Sequence, residues 1–272
     1  RVLFRSTNFD AKSNNLEESV NNKIKLIQKL NVDGLDLLLS IINRMSKDQT
    51  VAYLLMWVDH ILADKQVHKI LCHYAYRYGI QPWTNFMNLL NRQDMFIAHM
   101  SARIISKIMV NCAEVSTENS ENIIHMEGQE LNFYFSWLRS QLQQSVQNQD
   151  YLQSIVGCCQ TFLKINYYRL AFYQFDGVNQ LLPLLNSNYG FQLQYQVSFC
   201  FWLISYNKNL VFQFENNMKV ISVLSDVMRD SQKEKVVRMI VAIFTNILKT
   251  CEEKKDLFRK FTLAMITCKV PK

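Results

Sequence analysis

His68 and Cys72 stand four residues apart, which puts an imidazole and a thiol on one helical face within reach of a single metal ion. No second ligand pair stands nearby, and a lone His/Cys pair ordinarily belongs to a fold, so no metal site is expected. Tyr167, Tyr168 and Tyr173 surround Arg169, residue types that stack on and neutralise single-stranded RNA. One such cluster is not a binding signature by itself. The phosphate cradles (Walker A, GxGxxG) and the GxSxG nucleophile elbow are absent from the sequence. No catalytic residue and no cofactor is therefore expected.

What remains is polar residues spaced for contact. His99, Arg103 and Lys107 follow one another at four-residue steps after Asp94. Lys235, Arg238, Asn246 and Lys249 lie opposite Val237, Ile240 and Phe244 on a second helical stretch, and Gln192, Gln194 and Ser198 form a third polar set. These ten residues are the candidate partner-binding side chains. Ordinary solvated helix faces would read the same way.

The elements that must position them announce themselves by repetition. A six-residue pattern (two apolar, one small or polar, two apolar, one polar) begins at Leu38, Phe86, Tyr134, Leu181 and Val220. The intervals are 48, 48, 47 and 39 residues, close to the period of about 40–47 of stacked two- and three-helix units. After each copy comes a longer amphipathic segment: 49–62, 95–109, 151–165, 191–205 and 233–249. Asp48, Asp94, Asp150 and Gly190 are the expected helix starts for four of them. Shorter helices are expected over 66–78, 166–175 and 209–215. The fold class is thus all-α, an armadillo/HEAT-like helical-repeat superhelix of about five three-helix repeats. In such stacks the long third helix lines a groove, so the polar stripes above would make a partly basic groove surface. Ala98, Ala102, Gly157 and Ser198 are small enough to let helices approach, Gly157 at a cost of about 1 kcal/mol relative to Ala. Residues 111–128 and 143–148 are polar and read as a loop and a fraying end.

Composition agrees. Of 272 residues, 49% are hydrophobic, and only six are Gly and three Pro, which disfavours sandwiches, barrels and Gly-rich nucleotide-binding turns. Seven scattered cysteines, several in apolar helical stretches (Cys158, Cys159, Cys200), read as reduced thiols of a cytosolic protein. No apolar run approaches the length of about 18 needed to span a bilayer. A chain that opens on Arg1 and closes on Lys272 is expected to be one domain of something longer. Net charge is +7, and residues 229–272 hold eleven Lys/Arg against five Asp/Glu. That basic end suits nucleic acid, anionic lipid or an acidic protein, or is a solvated face. The Trp-x-x-x-Asn pairs of nuclear-import adaptors are not reproduced, since Trp57 is followed by Ile61 and Trp202 by Tyr206.

Between the repeats, ordered strings of residues resemble the H-subunit family of the vacuolar-type proton-translocating ATPase (V-ATPase). They are Leu89-Leu90-Asn91-Arg92-Gln93-Asp94, His99-Met100, Ala102-Arg103-Ile104-Ile105, Asp176-Gly177-Val178-Asn179 and Gly190-Phe191-Gln192-Leu193-Gln194-Tyr195-Gln196. Val223-Leu224-Ser225-Asp226, Lys233-Glu234-Lys235-Val236, Leu263-Ala264-Met265-Ile266 and Cys268-Lys269-Val270 continue them. The resemblance implies a non-catalytic, regulatory component of the V1 sector, cytoplasmic and held peripherally on vacuolar membranes and other endomembranes. Its implied partners are other V-ATPase subunits: the peripheral stalk, made of E and G, and the cytoplasmic part of the membrane-bound a subunit. Nucleic acid and membrane insertion are not implied. The family supports ATP hydrolysis coupled to proton transport. On this reading residues 1–16 are an N-terminal segment, 17–272 the armadillo-like domain, and the family's C-terminal domain is absent. A generic armadillo-type peptide- or nucleic-acid-binding adaptor is the alternative.

Overall fold

The computed structural model describes residues 13–119, 124–144, 151–185 and 189–268, so the expected N-terminal segment lies almost wholly outside the described residues, as do 120–123 and 145–148. Among those described there are fourteen α-helices and no strand. The chain divides into two compact units, Arg1–His125 and Met126–Lys272. Among the described residues no helix is long and apolar enough to cross a membrane.

In the first unit α1 (Ser13–Arg44) packs on α2 (Asp48–Ile61) and on α3 (Lys65–Tyr78). A short α4 (Thr84–Met87) runs into a 3-10 turn (Asn88–Asn91), and both pack on α5 (Met95–Asn119) together with α2 and α3. The backbone leaves helical geometry at Asn31 in α1 (φ 55°, ψ −136°), a positive φ that Asn tolerates better than most residues. Asp64 starts α3 by accepting from the backbone N–H groups of Gln66 (2.8 Å) and Val67 (3.3 Å). Gly79 ends it in the left-handed region at φ 64°.

The second unit holds α6 (Gly128–Gln144), α7 (Leu152–Phe162), α8 (Asn166–Gln174) and α9 (Gly177–Leu181), the last continuing as a 3-10 turn (Leu182–Leu185). Then come α10 (Phe191–Ile204), α11 (Lys208–Gln213), α12 (Lys219–Asp230), α13 (Glu234–Cys251) and α14 (Lys255–Thr267). Helix α10 packs against both α7 and α13, and α12 against α13 and α14. The expected order of short, medium and long helix is met by α11–α12–α13; in α3–α4–α5 and α8–α9–α10 the last helix is the longest, but the middle one is a short α-helix that continues as a 3-10 turn.

The five copies of the six-residue pattern fall on the helix or turn that precedes α2, α5, α7, α10 and α13 in turn, with their first, second and fifth residues buried every time. The fourth residue divides them. Ile41, Trp137 and Val223, on α-helices, are half-buried, whereas Leu89 and Leu184, on 3-10 turns, are 4% and 1% exposed. With 3.6 residues per turn the fourth position lies off the axis of the apolar face. With three per turn, positions one and four eclipse, as do two and five, and all four apolar residues meet the core. In the fourth copy Pro183 removes one backbone donor and so interrupts the α-helical ladder where the turn tightens.

Two expectations are corrected. Residues 111–119 are not a loop: α5 continues to Asn119, since Cys112, Ala113 and Val115 prolong the buried face begun by Ile104, Ile105 and Ile108. Nor does Gly157 serve a close approach, for a Cβ built on it meets no atom within 4 Å.

Two stability changes follow. Leu184→Ala removes a fully buried side chain and should cost about 2–4 kcal/mol, while Ile41→Ala, at the same pattern position on an α-helix, should cost clearly less. Gly157→Ala should instead raise stability by about 0.5–1 kcal/mol, because space is open and helix entropy improves. Urea unfolding of the three variants measures both.

Candidate functional site

The described surface that could receive a partner is built differently in the two units. In the first, Asp94 caps α5, its Oδ1 accepting from the Ile97 N–H at 3.1 Å. Two turns on, the Arg103 guanidinium Nε lies 3.1 Å and the Lys107 ammonium 2.6 Å from Asp59 Oδ1 of α2. Lys107 also donates to the Asp59 carbonyl at 3.1 Å. The Asp59 carboxylate, only 13% exposed, thereby binds two cations, and the pair of predicted basic residues is spent largely on joining α5 to α2.

His99 does not share that surface. It is 3% exposed, among buried Ile97, Ala98, Ser101 and Ala102. Steps of four residues overshoot the 3.6-residue turn, so the stripe rotates along the helix, and its first member enters the core where α2, α3 and α4 all press on α5. Burial pushes the imidazole down from its ordinary 6.5 to about 4 and keeps it neutral at physiological pH.

In the second unit Gln194 and Ser198 are likewise buried, at 9% and 0% exposure. Gln194 Nε2 donates to the Leu185 carbonyl (2.9 Å), tying α10 to the 3-10 turn before it. Gln192, Lys235, Arg238 and Lys249 are exposed and Asn246 half-buried. Arg238 pairs with Glu234 (2.5 Å), and Asn246 Nδ2 donates to Ser205 Oγ (2.9 Å), joining α13 to the end of α10. The polar stripes gave no sign of the outer face of α10 itself. Leu193, Val197, Phe201 and Ile204 are buried on one side, while Tyr195, Phe199 and Trp202 are half-buried and Tyr206, just past the helix end, is 56% exposed. Phe199 and Trp202 rings lie 5.3 Å apart and Trp202 and Tyr206 4.9 Å apart, edge to face. The signal that could have found this face is the pair of interleaved apolar stripes on one helix. Beside α10, Gln160 Nε2 of α7 donates to the Gln196 carbonyl (3.1 Å), and Gly157, half-exposed, precedes it by three residues on the same helix.

The other chemically suggestive residues are occupied by the fold. His68 Nε2 is 2.9 Å from the Leu62 carbonyl. Arg169 donates to the carbonyls of Leu163 and Lys164, both at 2.8 Å, and the buried Tyr168 hydroxyl accepts the Met126 N–H at 2.9 Å. Among the described residues no group of three or more His, Cys, Asp and Glu could hold a metal ion. An open depression of about 410 Å³ along α14 is lined by Glu252, Lys255, Phe258, Arg259, Thr262 and Leu263.

Several strings between the repeats turn out to be joints. Arg92 donates to Asp48 (2.9 Å) and to the carbonyls of Met45 (3.0 Å) and Ser46 (3.3 Å), so Asp48 is an ion-pair partner and not the cap of α2. Asp176 adopts a left-handed φ of 61° and accepts from Asn179 Nδ2 at 2.5 Å. A Cβ on Gly177 would lie 2.4 Å from the Phe172 ring, so any other residue there would have to displace that buried ring.

His99 yields a pH prediction. The unfolded chain protonates it near 6.5 and the fold only near 4. The unfolded state therefore binds more protons in that window, and stability is lost as pH falls through it and fully kept above it. The loss attributable to His99 should be on the order of 2–3 kcal/mol. Urea midpoints from neutral pH down to pH about 4 should fall less steeply in His99→Gln than in the parent; equal slopes would dismiss His99 as the proton site.

The sequence model of the family described as the V-ATPase H subunit matches residues 7–272. The V-type proton ATPase H subunit of Drosophila melanogaster is 36% identical over 236 residues, covering 86% of this chain and 47% of that protein. A probable V-type proton ATPase H subunit of Caenorhabditis elegans is 35% identical over 234 residues, covering 86% and 47%. The chain thus spans about half the length of these curated relatives. Among solved structures, a designed armadillo repeat protein in complex with the peptide (KR)4 superposes with TM-score 0.60 at 10% identity, over 88% of this chain and 95% of that one. A second designed armadillo repeat protein gives 0.57 at 11% identity, over 89% and 96%. This armadillo-like helical repeat, whose joints at Arg92, Asp94, Asp176 and Gly177 carry the resemblance, belongs to the H-subunit family of the V-ATPase.

Proposed function

We propose that this chain is a non-catalytic, regulatory scaffold of the V1 sector, cytoplasmic and peripherally associated with endomembranes. It binds the peripheral stalk, made of E and G, and the cytoplasmic part of the membrane-bound a subunit, and so supports ATP hydrolysis coupled to proton transport. A bound scaffold biases such a motor only through unequal affinity for its working and silent states. The observation that carries the reading is the outer face of α10. Phe199, Trp202 and Tyr206 form a contiguous aromatic stripe that the described repeats leave partly open, and exposed Lys235 and Lys249 stand on the adjacent α13. Trp and Tyr are the residue types that most often anchor interface hot spots.

The basic C-terminal end fits a solvated surface better than a nucleic-acid track. Arg229 pairs with Asp226 and Asp230, Lys208 with Glu253, and Lys260 with Glu215. Lys254 sits 3.7 Å above the Phe212 ring. Arg103 and Lys107 are poor probes of partner binding, because reversing either would crowd carboxylates around Asp59.

Trp202→Ala combined with Tyr206→Ala should weaken binding to a purified E–G heterodimer by roughly 10-fold or more, with the far-ultraviolet dichroism unchanged. Lys235→Glu with Lys249→Glu should weaken it by a smaller factor that shrinks as salt is added. Titration calorimetry measures both, and parental affinity in the folded aromatic variant would remove α10 from the interface.

A further inference from the structure

Cys72 is carried by α3 and Cys112 by α5, helices that pack directly on each other in the first unit. Their thiols are in hydrogen-bonding contact. The two differ in access: Cys112 is fully buried, whereas Cys72 is half-buried, with exposed His73 beside it. No other cysteine combines a partner with a route from solvent. Cys158, Cys159 and Cys200 are all sealed in the core, as is Cys251, and the half-buried Cys268 stands at the end of α14.

We propose that Cys72 is a peroxide-modification site and that Cys112 resolves it, giving a reversible disulfide between α3 and α5. In the first step the Cys72 thiolate attacks hydrogen peroxide. An S–O bond forms, the O–O bond breaks, hydroxide leaves, and Cys72 becomes a sulfenic acid. In the second step the Cys112 sulfur attacks that of Cys72. The S–S bond forms, the S–O bond breaks, and the hydroxyl leaves as water with the Cys112 proton. Two thiols are oxidised by two electrons in all, and one peroxide is reduced to water.

Access assigns the roles: Cys72, half-buried, is the thiol that peroxide can reach, and Cys112, sealed in the core, is the one left to resolve it. The electrostatics run in the same direction, since the contact with Cys112 lowers the Cys72 thiol against the opposing effect of burial, while the same contact and burial push Cys112 well up. The His68–Cys72 pair that could have suggested a metal is divided, since His68 faces the Leu62 carbonyl instead.

The test treats the folded full chain with hydrogen peroxide, quenches with an alkylating agent, and maps peptides without reduction. A Cys72–Cys112 crosslinked peptide that disappears on adding dithiothreitol is expected. In Cys112→Ala, a dimedone adduct should collect at Cys72. In Cys72→Ser, at a half-buried position that tolerates the change, Cys112 should stay unmodified at the same peroxide dose. Free thiols at both positions in the treated parent, or dimedone on Cys112 in preference to Cys72, would overturn the proposal without any variant having to fold.

Discussion

A helical repeat of this type has apolar surface on two sides and cannot bury both alone, so every unit depends on a neighbour set at a fixed register. The polar contacts record that register. Arg92 meets Asp48 at a separation of 44 residues, Arg103 meets Asp59 at 44, Asn207 meets Asn166 at 41, Asn246 meets Ser205 at 41, and Lys208 meets Glu253 at 45. Each distance is about one repeat. The hydrogen bonds add little individually, about 0.5–1.5 kcal/mol net. They oppose a slip by one helical turn, because such a slip would separate all of them together.

The same dependence explains the helices that carry the six-residue pattern. Four apolar positions in six serve as an α-helix or as a 3-10 turn, and the stack uses both. Where Leu89 and Leu184 must reach the core, the helix tightens; where Ile41, Trp137 and Val223 can stay at the edge, it does not. The joints then fix how the chain enters the next helix. Gly177 lies against the Phe172 ring and Asp176 accepts from Asn179, which in turn accepts from Asn217 one repeat later. Such positions are constrained by geometry within the chain.

Much of this was legible in the sequence because helical periodicity and repeat period are both one-dimensional signals. The long helices after Asp94 and Gly190 begin where expected, and α11 needs only a one-residue shift at its start. The end of α5 was missed because the polar run from Ser116 to Asn119 hides a buried face that persists through Val115. The candidate site was half legible. Gln192, Lys235, Arg238 and Lys249 stand exposed, but His99, Gln194 and Ser198 are inside. Four-residue spacing says which residues share a face, and says nothing about how many neighbours press on it. Asp59 was out of reach for the same reason: its bond to Arg103 is a property of stacking and not of either helix.

The two units end with different kinds of surface, and the difference follows from how completely each long helix is covered. In α5 the cations Arg103 and Lys107 are answered by Asp59, and His99, Ser101, Ser106 and Asn111 are drawn into the core. In α10 the opposite holds. Its inner stripe of Leu193, Val197, Phe201 and Ile204 is buried where α10 packs on α7 and α13, and on the other stripe the rings of Phe199, Trp202 and Tyr206 meet one another while staying partly open. A side chain as large as Trp202 left half-open keeps part of its apolar surface towards solvent. Exposed Gln192 on the same helix and exposed Lys235 on α13 are the ordinary polar outer surface of such a stack, and against them the aromatic stripe is the apolar exception.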